Sequence, residues 1–252
     1  MHIDLSDQVI LVTGASRGIG KAIATQLIQS GASVALHYNS SRQIADELAS
    51  ELGSKAWAVQ CDLSEPSSAA SLVSQTIDHF GKLTGIVNNA GIAMSSSINQ
   101  DDETFLEEWQ RTHRVNVDSL AMICKSSLQH FLTSGGGRIV NISSRAAFRG
   151  DTTDYMAYAS SKGAVVALTR SIARGYGKQN IKAFVVAPGF TRTDMAQDFI
   201  DQYGEDFALN DIALNKLTEP HDLAPMITLL LSGMADHSTG TTIDVNAGSY
   251  VH

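Results

Sequence analysis

The stretch Val9-Ile10-Leu11-Val12-Thr13-Gly14-Ala15-Ser16-Arg17-Gly18-Ile19-Gly20 decides the fold. Its aliphatic start has the length and β-branching of a fully buried strand, and it runs straight into glycines spaced G-x-x-x-G-x-G. Such glycines permit a tight turn, let the backbone come close to a pyrophosphate, and aim the N–H groups of a helix N-terminus at that anion. A plain strand-to-helix turn also accounts for glycines. Their place at the first β-to-α junction, where ligands bind an open sheet, favours a dinucleotide site built from Gly14, Ser16, Arg17, Gly18, Ile19 and Gly20.

Outward from this turn the hydrophobic period switches repeatedly. Short apolar runs at 9–13, 33–37, 56–60, 85–88, 138–143, 181–187 and 241–245 read as seven buried strands. Segments of helical spacing separate them. In 19–31, Ile19, Ile23, Leu27 and Ile28 share a face and Gly31 supplies a left-handed C-cap. Strands alternating with helices require crossover connections, which predicts an α/β, doubly wound, Rossmann-like seven-stranded parallel sheet with helices on both faces. No repeat or Pro/Ser-rich linker divides the chain, so residues 1–252 are expected to form a single domain. The polar, weakly periodic stretch 191–218 is read as a substrate lid. Its Met195, Phe199, Tyr203 and Phe207 suit either substrate contact or packing onto the body.

Composition narrows the partners. The 252 residues are 43% hydrophobic and 17% charged with four Pro, which describes a globular chain able to bury a substantial core. A net charge of −8 argues against a nucleic-acid binder, which gathers Lys and Arg to displace counterions. Cys61 and Cys124 are isolated, and the eight His show no tight ligand spacing, so no metal site is expected. The N-terminus lacks a basic n-region and its apolar run is too short for a membrane span, which suits a soluble cytoplasmic protein.

The second strand ends in His37-Tyr38-Asn39-Ser40-Ser41-Arg42, with no acid where a reader of the NAD ribose would stand. Arg17 and Arg42, with Asn39, Ser40 and Ser41, suit a 2′-phosphate, which favours NADP over NAD; solvated surface arginines are the other reading. Asp62, with Leu63 beside it past the third strand, suits either an adenine amino group or an ordinary cap for the next helix. Tyr158 and Lys162 stand at i and i+4 on one helix face. An ammonium about 4 Å from a phenol at an effective dielectric of about 20 contributes on the order of 4 kcal/mol, or about three pK units, enough to make tyrosine an acid–base group near neutrality.

The turn Thr13–Gly20, the run Asn88-Asn89-Ala90-Gly91, Asn116, Ser144, Tyr158/Lys162 and Pro188-Gly189 stand in the order seen in the short-chain dehydrogenase/reductase family, which the chain resembles over essentially its whole length. It is most similar to the β-ketoacyl-[acyl-carrier-protein] reductase branch at 187–195 and 245–248. The resemblance implies that Tyr158 is the general acid, that Lys162 lowers its pKa and bonds the nicotinamide ribose, and that Ser144 orients the carbonyl. It further implies that Asn116 holds a water in a proton relay and that Asn89, Ala90 and Gly91 line the adenosine ribose. Thr193 would bond the carboxamide, in a cofactor wall shared with Pro188, Gly189 and Thr191. From the residues alone, Asn116 could instead be a helix-interior residue whose amide satisfies nearby backbone. The implied activity is NADP(H)-dependent reduction of a ketone or β-ketoacyl group, an acyl thioester among the candidates, by a homotetramer pairing the segments 103–134 and 157–177. A secondary-alcohol or sugar dehydrogenase working toward oxidation is the alternative.

The chain departs from that pattern in two places. Ser144 lies fourteen residues before Tyr158, one more than the commonest spacing, which leaves Ser143 and Ser144 both open. Arg145 and Arg149 bring positive charge beside the active serine, either to receive an anionic substrate or to pair with Asp151 or Asp154. The stretches that dock a carrier protein in the branch, 132–137 and 175–180, retain only Lys178 as a cation.

Overall fold

Each apolar run becomes one strand of one sheet. The computed structural model describes residues 3–194, 196, 200 and 204–251. Its strands are β1 (Val9–Val12), β2 (Ser33–Tyr38), β3 (Ala56–Gln60), β4 (Gly85–Asn88), β5 (Gly137–Ile142), β6 (Ile181–Pro188) and β7 (Thr242–Val245). They lie in the order β3-β2-β1-β4-β5-β6-β7, every neighbouring pair parallel. The predicted strand bounds hold to within a residue.

Period-2 alternation divides each strand between two layers of helices. Ile10, Val12, Val140, Ile142, Phe184 and Val186 pack with Ile23 and Leu27 of α1 (Gly18–Gln29) and with Leu223, Ile227 and Leu230 near the chain's end. Leu48 of α2 (Arg42–Leu52) joins this layer. The short α3 (Pro66–Ala69) leads into α4 (Ser71–Phe80) on the opposite face. Leu11, Ile86, Ile139 and Ala183 point to that face and pack with Leu72 of α4, Ile123, Phe131, Val165 and Ile172. Because both faces are covered at the centre of the sheet, β1 reads as an unbroken apolar run, whereas the edge strands β3 and β7, expected to be buried, are largely half-buried.

Among the described residues the remaining α-helices with defined bounds are α5 (Asp102–His113), α6 (Leu120–Ser134), α7 (Ala146–Arg149), α8 (Met156–Tyr176), α9 (Glu205–Leu209) and α10 (Pro220–Leu231). The single helix expected over 103–134 is divided by a π-helical turn, Arg114–Ser119, between α5 and α6. Gly31, at φ +101° just after the α1 C-cap residue Ser30, supplies the expected left-handed cap, with its N–H donating to the Ile28 carbonyl at 2.9 Å.

From β1 the chain steps outward to β2 and β3, then returns to pair β4 on the other side of β1. This reversal opens a crevice beyond the carboxyl ends of the strands. The glycine turn and the segments that follow β2, β3, β4, β5 and β6 all reach that rim, whereas the α-to-β turns at 53–55, 81–84 and 135–136 lie at the opposite one. Among the described residues no helix is long and apolar enough to cross a membrane.

Candidate active site

The glycine turn is held by residues on three strand ends. Gly14 and Gly18 adopt φ of +64° and +53°. A Cβ on Gly20 would stand 2.1 Å from the Gly14 carbonyl oxygen and 2.7 Å from Asn89 Nδ2, so only glycine lets α1 start this close to β1. Arg17 precedes α1 without a side-chain cap and the first turn holds no acid, leaving N–H groups available to an anion. These features fit the phosphates of a dinucleotide. Asn89 Nδ2 donates to the carbonyls of Thr13 and Gly14 at 2.9 and 3.1 Å, and Thr13 Oγ1 accepts from the N–H groups of Asn89 and Ala90, both at 3.0 Å.

His37 also belongs to this cradle. It is 2% exposed, and its Nδ1 accepts the Gly14 N–H at 3.0 Å while Ala15 donates to its carbonyl at 2.8 Å. Its Nε2 therefore carries the hydrogen and donates to the Cys61 carbonyl at 3.0 Å. Burial holds the imidazole below its ordinary pKa, in the neutral form that this bonding needs. The sequence signal was a polar residue inside an otherwise apolar strand.

Beyond β2, Asn39 and Ser40 are exposed. Arg42 is 81% exposed and pairs with Asp46 at 3.4 Å; Arg17 is 68% exposed and pairs with Asp194 at 3.3 Å. Such surface pairs are worth little and leave both guanidiniums free to reorient. Asp62 caps a local turn, its Oδ1 accepting the Ser64 N–H at 2.8 Å, which holds its carboxyl below the usual range. Leu63 is buried, its carbonyl accepting from Ser119 Oγ at 2.6 Å.

Beyond β5 the two serines part ways. Ser143 is buried and its hydroxyl donates to the Lys162 carbonyl at 2.9 Å, whereas the Ser144 hydroxyl accepts the Ala146 N–H at 3.1 Å and hydrogen-bonds Tyr158. Ser144 is thus the serine beside the phenol. Lys162 is 4% exposed, donates from Nζ to the Ile142 carbonyl at 3.0 Å, and lies 5.7 Å from the Tyr158 ring centroid. Burial lowers its pKa to about 8.

The expected lowering of the Tyr158 pKa is reversed. Burial raises it, the Ser144 bond opposes that, and Asp151 adds to the rise. The i,i+4 spacing does bring the pair to one face, but the ammonium turns to the β5 carbonyl and lies over the ring. Asn116 lies inside the π-helical turn, and its amide does satisfy backbone, that of Ile92. Its Nδ2 donates to the Ile92 carbonyl at 2.9 Å and to Ser161 Oγ at 3.0 Å, and its Oδ1 accepts the Ile92 N–H at 2.9 Å. It clamps the loop after β4, where a Cβ on Gly91 would lie 3.2 Å from both Asn116 Oδ1 and Lys162 Nζ.

After β6, Pro188 and Gly189 lead to Thr191, which forms a bridge with Thr218. Thr193 Cγ2 would stand 3.3 Å from a Cβ on Gly18, which seats this segment over the glycine turn. Met195, Phe199 and Tyr203, and the side chain of Phe207, lie outside the described residues. Arg145 and Arg149 form their ion pairs with Asp211, at 2.6 and 2.9 Å, in place of the expected Asp151 or Asp154; Asp151 acts on both only at longer range. Among the described residues, no group of three or more His, Cys, Asp or Glu is placed to hold a metal ion.

Residues 14–250 match the family model described as enoyl-(acyl carrier protein) reductase. Versicolorin reductase of Emericella nidulans is 33% identical, with 98% of this chain and 97% of that protein covered. A 3-oxoacyl-[acyl-carrier-protein] reductase of Staphylococcus aureus is 32% identical over 96% of this chain and 97% of its own length. Among solved structures, a blue fluorescent protein from a metagenomic library, in complex with NADPH, superposes with a TM-score of 0.90 at 32% identity, covering 98% of this chain and all of that one. With the motifs standing at the same strand ends that this fold brings together, the chain belongs to the short-chain dehydrogenase/reductase family.

Proposed function

We propose that this chain is an NADPH-dependent reductase that converts a ketone or β-ketoacyl group to a secondary alcohol. The observation that carries this reading is the Ser144–Tyr158 hydroxyl pair beside buried Lys162, at the rim that also holds the glycine turn. The turn at 14–20, His37, Asn89 to Gly91 and Thr193 would hold the cofactor, which supplies the hydride when bound. NADPH is favoured by the absence of an acid at 39–42, by the two exposed arginines, and by the NADPH complex of a structural relative.

The chain's own groups manage the carbonyl oxygen. Burial keeps Tyr158 protonated at neutral pH, so the phenol has a proton to give. An alkoxide forming at that oxygen is far more basic than a phenolate, so transfer from Tyr158 Oη runs downhill while Ser144 keeps a second hydrogen bond to the same atom. Lys162, 5.7 Å from the ring, stabilises the phenolate left behind. Asn116 fixes the Ile92 backbone and thereby the loop that carries Gly91 past the ammonium.

The segment 191–218 would serve as the lid. The assembly is proposed as a cytoplasmic homotetramer pairing α5–α6 and α8 across one dyad; a monomer in sedimentation velocity removes that part. NADPH oxidation followed against ketones, diketones and acyl thioesters tests the activity. Binding of NADPH with no turnover of any member would leave a silent cofactor-binding regulator instead.

A further inference from the structure

The wall beside the reactive serine is cationic in an unusual way. Arg145, next to Ser144, is the N-cap residue of α7, and its N–H donates to the Pro188 carbonyl at 3.0 Å, which pins the first arginine between the tips of β5 and β6. Arg149 follows one helical turn later on the same side. Both guanidiniums converge on one carboxylate: Arg145 Nη1 lies 2.6 Å from Asp211 Oδ2, and Arg149 Nη1 donates to the two oxygens of Asp211 at 3.1 and 2.9 Å. Arg149 also donates to the Ser249 carbonyl at 3.3 Å.

Two fixed cations sharing one anion leave donor capacity unspent. The Arg145 side chain is only 15% exposed, and its Nη1, although close to Asp211, has no aligned acceptor. Burial and the neighbouring Arg149 both weaken its hold on its proton, which Asp211 only partly offsets. Asp151, turned to the Thr152 N–H at 2.8 Å, adds to the counter-charge only at longer range, and partial desolvation raises its pKa. Asp211 itself comes from the segment read as the lid, anchored next door where Ala213 donates to the Ala247 carbonyl at 2.8 Å.

We propose that Arg145 and Arg149 are the receptor for a carboxylate carried by the carbonyl substrate, so that the substrates are oxo acids, with Asp211 as the internal carboxylate that otherwise occupies the pair. This rests on the reductase reading above. A substrate carboxylate takes over charge-assisted bonds that are already formed, so its desolvation is met by fixed donors, whereas a neutral ester offers them no anion.

The test compares 4-oxopentanoate and 4-formylbenzoate, each with its methyl ester, using NADPH and the full chain. The ratio of kcat/KM for acid over ester should exceed unity and fall about tenfold in Arg149→Gln, through KM. Asp211→Asn should raise it, because a competitor is removed. If both substitutions shift acid and ester alike, Arg145, Arg149 and Asp211 merely fasten the lid and the proposal is overturned. If no acid or ester is reduced, the reductase reading fails separately, and benzoate added to the NADPH-mixed protein still reads the pair. Stabilisation against heating in wild type but not in Arg149→Gln supports the receptor; equal response, or none, overturns it.

Discussion

Tyr158 and Lys162 show how far a spacing rule reaches. It placed both on one face of α8, but it carried no information on where a flexible four-carbon stem ends, and the ammonium found the Ile142 carbonyl. Tyr158→Phe should lower kcat for carbonyl reduction by about 10²–10⁴-fold while NADPH still binds, checked by steady-state kinetics and fluorescence titration. Lys162 has a native pKa of about 8, below its ordinary 10.5, so the folded protein resists protonating it and this group adds stability as pH rises from 8 to 10.5. Relative to Lys162→Met, wild type should therefore gain on the order of 3 kcal/mol over that window in urea melts. A constant difference between the two would show that the ammonium is not desolvated. The choice of Ser144 over Ser143, and Asp211 as the partner of Arg145 and Arg149, were equally hidden in the sequence, because each depends on contacts between residues distant along the chain or on strand phase at a single position.

Elements were more legible than contacts. Strands buried on both faces announce themselves as unbroken aliphatic runs, and the glycine spacing of the first turn has a steric cause that the structure displays at Gly20. Gly20→Ala should abolish NADPH binding and cost about 1–3 kcal/mol or more in denaturant unfolding, since the obstacle is a backbone carbonyl that cannot rotate away. The π-turn at Arg114–Ser119 was not legible, because its residues fit an α-helix by propensity and only the tether from Asn116 to Ile92 reveals its use. His37 ties the first turn to β3, and its pKa is lowered from 6.5 by burial. The stability it contributes is complete above about pH 6.5 and is lost as pH falls through its lower native value. Between pH 7 and 5, wild type should lose more melting temperature than His37→Asn, which keeps an acceptor without titrating; parallel profiles would show that His37 plays no part.

At the scale of the molecule, one sheet covered on both faces should melt as one unit. A single calorimetric transition is expected, raised by about 2.7 kcal/mol when NADPH is present at 100 times its Kd, and two separable transitions would contradict a single domain. The sheet's polarity has a practical corollary. Every parallel strand delivers its chemistry to the same end, so the turns at 53–55 and 135–136 sit on the molecule's blind side. A purification handle or surface tether spliced there would orient immobilised protein with its working mouth toward the bulk solution.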